Sequence, residues 1–151
     1  MKLFPESAGV QLEFEKIRQI VIDFCASESG KTRASELRIH TRKEYIETEL
    51  RQSFEYLLLA QNGQYFPNDH TLNLYRELKL LGIPGAVLKG EDFILIRKLA
   101  ESMQQIFRWF DADRTIHFPS LHKVIAGTHY EKSVIAGIDE VLTEQGLVKD
   151  D

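Results

Sequence analysis

Four consecutive residues, Ser29-Gly30-Lys31-Thr32, have the residue types that end a phosphate-binding loop. In such a loop, glycines let backbone N–H groups surround the phosphates, and the lysine reaches a terminal phosphate. The motif also requires a glycine five residues before Gly30, where this chain has Cys25, and a preceding strand, where this chain has a helical pattern. A helix end followed by a new helix explains the same residues. We therefore expect no nucleotide site here.

The histidines lack the i, i+4 pairing with a glutamate that marks common zinc hydrolases. Three of them are close together in sequence, and Glu131 could join those three in a metal site. Scattered loop histidines are more often exposed side chains, so we predict no metal site. The five are His40, His70, His117, His122 and His129.

Two pairs of carboxylates could supply acid and base groups if burial separated their pKa values. They are Asp111 with Asp113, and Glu47 with Glu49. Both pairs lie in polar stretches, which indicates solvated helix ends and faces, and no Ser/His/Asp arrangement can be assembled. The sequence therefore predicts no catalytic, cofactor-binding or metal-binding residue.

The densest basic stretch could contact a phosphate backbone or an acidic partner. Glutamates dilute it, and it lacks the interleaved aromatic residues that stack on bases, so a solvated face is the preferred interpretation. The whole chain has 19 Lys+Arg against 23 Asp+Glu, a net charge of -4, so any contact with nucleic acid must be local. The basic residues of the stretch are Lys31, Arg33, Arg38, Arg42 and Lys43.

The single cysteine, Cys25, excludes a disulfide framework and favours a reducing compartment. It lies on the apolar side of a helical pattern, so we expect a buried, unreactive thiol. The first residues lack the apolar run of a signal peptide, and no apolar stretch approaches the roughly 20 residues of a membrane span. These features predict a cytoplasmic protein without a membrane partner.

Apolar residues recur at helical spacing along most of the chain, and no strand-like alternation interrupts them. We therefore predict an all-α bundle of about seven helices. The expected ends include Gly30, Asn62-Gly63, Gly82 and Gly127, and Thr41 is expected to cap the third helix through a Thr-x-x-Glu capping box. The predicted helices span about 11–26, 31–37, 41–62, 71–81, 89–110, 119–126 and 131–143.

The helix over 89–110 has an unusually wide apolar stripe, which implies neighbours on two sides. One layer of the other helices is not expected to cover all of it. We therefore expect an exposed apolar patch on this helix, or a self-association interface that buries it. The stripe consists of Phe93, Leu95, Ile96, Leu99, Met103, Ile106, Phe107, Trp109 and Phe110.

Several segments, taken in their order and spacing, resemble the start of MutS-type proteins of the type II, recombination-suppressing branch. Phe4-Pro5-Glu6-Ser7 resembles the family's opening, and Leu80 to Leu88 resembles its glycine-then-leucine segment before a long helix. The proline expected near position 39 is absent. The other segments are 12–17, 29–31, 41–59 and 138–150.

This resemblance implies a dimeric, DNA-dependent ATPase that binds branched or mismatched DNA, acts in DNA repair and restrains homologous recombination. Residues 1–151 would form the N-terminal helical part of its core or lever domain and would have no enzymatic activity. ATP, Mg²⁺, DNA and the partner subunit would bind elsewhere in the longer protein, which often ends in a Smr nuclease domain. The fragment itself would bind no cofactor and no small-molecule substrate.

Two other functions remain open at this point. A free-standing helical protein-interaction module would have a complete core and an apolar surface for a partner. A small helical hydrolase would require a converging polar pocket. The last residues, 147–151, form no closing element, which favours a segment cut from a longer protein.

Overall fold

The computed structural model describes residues 7–68 and 72–150. They belong to two compact units, Met1–Thr41 and Arg42–Asp151. Within the described residues, the regular structure consists of α-helices, and only an isolated antiparallel bridge joins Leu142 to Val148. The prediction of an all-α fold is confirmed.

The first unit contains α1 (Ala8–Gln11), α2 (Phe14–Phe24) and α3 (Glu28–Ser35). Helix α2 packs against α3, where Ala34 is buried. Between α1 and α2, Glu13 has a φ of 53°, in the left-handed region that disfavours a residue with a side chain. This residue divides the single helix that was predicted over 11–26.

The prediction that Gly30 ends a helix is wrong. Gly30 lies in the first turn of α3, and its N–H donates to the Ser27 hydroxyl over 3.1 Å. Serine is among the best N-cap residues because its oxygen accepts an otherwise unpaired backbone N–H. This cap starts the helix at Glu28, and a single glycine in the first turn does not prevent it.

The second unit contains six helices in the part of the chain that the structure describes. The sequence pattern did not predict one of them, α7, because the stretch from Asp111 is polar and shows no apolar stripe. The Asp111 carboxylate accepts the Arg114 N–H at 2.8 Å and begins this helix. Nine described helices therefore replace the predicted seven. The six are α4 (Lys43–Gln61), α5 (Tyr75–Leu81), α6 (Gly90–Trp109), α7 (Ala112–His117), α8 (Pro119–Ile125) and α9 (Ser133–Val141).

The predicted helix ends have mixed outcomes. Thr41 does not cap α4, since the helix begins one residue later than that role requires and Arg42 is its N-cap. Three other signals are confirmed. Gly63 follows α4 with a φ of 62°, Gly82 ends α5, and Pro119 occupies the first turn of α8.

One core cluster of the second unit lies where α4, α8 and the end of α6 meet. Leu59, Trp109 and Phe118 are buried there. The Phe66 ring packs edge-on against the Trp109 ring at 5.0 Å, and the indole N–H donates to the Tyr65 carbonyl oxygen at 2.8 Å. The indole is therefore both packed and satisfied in its hydrogen bonding.

The other core cluster joins α6 to α9 and contains Leu74, Ile96 and Ile138. Ile96 of this cluster and Trp109 of the first cluster both lie on α6, so both clusters pack against this helix. All the residues of the wide α6 stripe are buried or half-buried. The prediction that this helix exposes an apolar patch is wrong.

Two glycines let the C-terminal turn approach the start of α6. A Cβ at Gly146 would lie 2.9 Å from the carbonyl carbon of Gly90, and a Cβ at Gly90 would overlap the Gly146 carbonyl group. Gly146 also has a φ of 79°. Both the close approach and the left-handed backbone require glycine here.

Among the described helices, none is both long enough and apolar enough to cross a membrane.

Candidate functional site

The residues that resemble a phosphate loop, Ser29 to Thr32, all lie within α3. The Lys31 ammonium group pairs with Glu28 at 2.8 Å, and the hydrogen bond raises the pKa of Lys31. The Thr32 hydroxyl donates to the Glu28 carbonyl oxygen at 3.0 Å. The lysine and threonine thus form contacts within their own helix, in a geometry unlike that of a phosphate loop.

The boundary between the two units divides the basic stretch. Lys31, Arg33 and Arg38 belong to the first unit, whereas Arg42 and Lys43 belong to the second. Lys43 lies 3.7 Å from Glu47. Arg33 and Arg38 are exposed, and within the described parts of the chain no ion pair involves either. In the part of the stretch that belongs to the first unit, these two arginines are available to contact phosphate.

The three histidines that are close in sequence contact different partners. The His117 Nδ1 lies 2.8 Å from the Asp113 carbonyl oxygen. The His122 ring packs against Phe110, and the His129 Nε2 lies 3.9 Å from a Glu131 oxygen. Across residues 7–68 and 72–150, no three His, Cys, Asp or Glu side chains form a group that could hold a metal ion. His70 lies outside these residues.

The four candidate carboxylates lie at exposed positions, at the start of α7 and on α4. Asp111 caps α7 and pairs with Arg114 at 2.9 Å, and Asp113 contributes its carbonyl oxygen to the contact with His117. Glu47 faces Lys43. Glu49 is exposed on α4. All four residues are exposed, so neither pair shares the enclosed site that a general acid and a general base require.

A cleft of about 620 Å³ opens beside Trp109 in the second unit. The Arg114 guanidinium lies over the indole at 4.9 Å and donates to the Trp109 carbonyl oxygen at 3.1 Å. The same guanidinium binds the Asp111 carboxylate. Since the cation already has an aromatic face and two acceptors, its contacts hold the end of α6 against α7.

An apolar groove of about 460 Å³ lies between α6 and α9. Phe93 and Ile138 form part of its wall, and Val141 and Val148 are more than half exposed at its edge. Ser133 supplies a hydroxyl to the lining, and this hydroxyl donates to the Glu131 carboxylate at 2.9 Å. None of the described residues that line the groove is titratable, so these residues do not form the converging polar pocket of a hydrolase.

An ion-pair network beside this groove escaped sequence analysis. Arg97 on α6 contacts Asp139 on α9 through Nε at 2.5 Å and through a second nitrogen at 3.1 Å. Arg97 also contacts Glu101 at 2.7 Å, and Lys149 donates to the Asp139 carbonyl oxygen. The hydrogen bond from Arg97 lowers the pKa of Asp139. Only the Arg97–Glu101 spacing of four residues was visible in the sequence.

A second long-range contact fixes α8 on α4. The Glu55 carboxylate accepts the N–H groups of Ser120 at 2.9 Å and Leu121 at 2.8 Å. Pro119 has no N–H, so these are the first donors of α8. The proline indicated that α8 would begin there, but nothing in the sequence identified an acceptor 65 residues away.

Two amphipathic helices, one in each unit, leave their apolar faces open. On α4, the side that carries Ile46, Leu50, Phe54 and Leu57 is 36% to 62% exposed, although the opposite side packs against α8. On α2, the four apolar residues of the predicted stripe are 38% to 84% exposed. They are Ile17, Ile20, Val21 and Phe24.

Cys25 at the end of α2 is half-buried, and its thiol donates to the Val21 carbonyl oxygen.

Comparison with curated proteins finds a MutS-type relative. The chain is similar to the endonuclease MutS2 of Aquifex aeolicus (strain VF5), with 25% identity over 146 residues. This similarity extends over 94% of the chain but only 18% of the relative's length. No family model matches the chain, and no solved structure matches it. The similarity indicates a relation to the MutS family.

Proposed function

We propose that this chain is the N-terminal helical segment of the core or lever domain of a MutS-like, DNA-processing protein. The observation that carries the proposal is the similarity to endonuclease MutS2, which covers nearly the whole chain and less than a fifth of the relative. The all-helical fold agrees with a structural role. The proposal includes the type II branch, whose members restrain homologous recombination and act on branched or mismatched DNA.

In this proposal, the segment transmits movement and performs no chemistry. Helices packed around α6 move together because a close-packed core resists deformation, so they can transmit a discrete change between distant sites. ATP and Mg²⁺ bind to another part of the longer protein, which forms a homodimer. The exposed apolar faces of α2 and α4 support this role, since bare amphipathic faces are typical of helices that pack against further structure.

The contribution of this chain to DNA binding is small and electrostatic. Arg33 and Arg38 supply local positive charge on a chain whose net charge is -4. For each phosphate that such a residue contacts, the plot of the logarithm of the binding constant against the logarithm of the salt concentration becomes steeper by about 0.9. We expect weak binding that is lost at physiological salt.

The decisive experiment uses the complete protein encoded by the reading frame that contains residues 1–151. We expect it to hydrolyse ATP and to bind branched DNA. The 151-residue chain alone should not hydrolyse ATP, and it should bind neither ATP nor branched DNA with useful affinity. Saturable ATP binding by the isolated chain that disappears in Lys31→Ala would contradict the proposal. So would a reading frame that encodes no phosphate loop after residue 151.

The charge contribution can be measured with matched variants of the complete protein. Arg33→Glu combined with Arg38→Glu should reduce the salt dependence of DNA binding and weaken it. Lys98→Glu combined with Lys123→Glu changes the charge equally at exposed positions outside the basic stretch and should have a smaller effect. Equal effects of the two pairs would show that only net charge matters.

A free-standing protein-interaction module is the alternative, and the apolar groove between α6 and α9 favours it. The module would act alone and not as part of a longer protein. The length of the reading frame therefore distinguishes the two functions. An open frame that ends near residue 151, together with a stable monomeric chain, would support the module.

A further inference from the structure

We draw no further inference here: the strongest candidate, the apolar groove between α6 and α9 around Gly137 and Val141, carries no proposal because nothing in the structure shows what covers it.

Discussion

The two longest described helices, α4 and α6, have similar lengths and each has an apolar stripe, but the structure covers the two stripes differently. α6 contributes Ile96 and Trp109 to two core clusters. α4 buries Leu59 against α8 and leaves Leu50 and Phe54 about 60% exposed. An apolar stripe therefore shows that a helix has a face to bury, but it does not show that this unit supplies the neighbour.

The strongest test of this difference replaces one aromatic residue on each helix. Trp109→Ala should lower the free energy of unfolding by about 3–5 kcal/mol, because it empties a core position and removes the hydrogen bond to Tyr65. Phe54→Ala should cost less than about 1 kcal/mol, since Phe54 is 58% exposed. Urea unfolding followed by circular dichroism measures both. Similar losses in the two variants would mean that the α4 face is covered in solution.

The covered side of α4 depends on a single carboxylate, which gives a second test. Glu55→Ala should cost about 1–3 kcal/mol, because the N–H groups of Ser120 and Leu121 lose their acceptor in a part-buried position. Glu55→Gln retains one oxygen and should lose less. Glu47→Ala, at an exposed ion pair on the same helix, serves as the control and should change stability little. If Glu55→Ala behaves like this control, the contact does not hold α8.

Sequence reasoning succeeded where a local signal determined the structure. Gly63, Gly82 and Pro119 ended or began helices as predicted, because backbone conformation and the missing proline N–H act within one turn. It failed at two places for different reasons. The Ser27 cap competed with the stop signal of Gly30 and determined the helix start. The stretch after Asp111 was too polar to show an apolar stripe, although Asp111 begins α7 there.

The contacts between distant parts of the chain were beyond this reasoning. Arg97 and Asp139 are 42 residues apart, and Glu55 and Ser120 are 65 apart. Their pairing depends on how α4, α6, α8 and α9 are arranged. Helical periodicity identifies the apolar face of each helix, but it does not identify the helix that packs against that face. For the same reason, the sequence predicted bare apolar surface on α6, whereas the structure has it on α4 and α2.

The first unit allows a smaller test on another helix with an open face. Glu13 precedes α2 in the left-handed region, where a side chain costs about 1 kcal/mol relative to glycine. Glu13→Gly should therefore raise the stability of this unit by about 0.5–1 kcal/mol. Glu13→Ala removes the same ion pair with Lys16 but keeps the strain, so it should give no gain. Amide hydrogen exchange along α2 measures the effect locally.

The smallest expected effect concerns the exposed edge of the well-covered helix α6. Arg97 lowers the pKa of Asp139, so the folded state holds that proton more weakly than the unfolded chain does. The interaction therefore stabilises the fold above the unfolded pKa, near pH 4, and is lost as the pH falls through the lower folded value. Because the Asp139 side chain is 47% exposed, solvent and salt screen the pair and the loss should be small. Asp139→Asn should be slightly less stable than the unchanged chain at pH 7, and the two should converge only once the pH has fallen below the lowered pKa of Asp139 in the folded state. A difference that persists after Asp139 is protonated in the folded protein, as followed by NMR of its carboxyl carbon, would show that packing at Asp139, rather than its charge, stabilises the contact between α6 and α9.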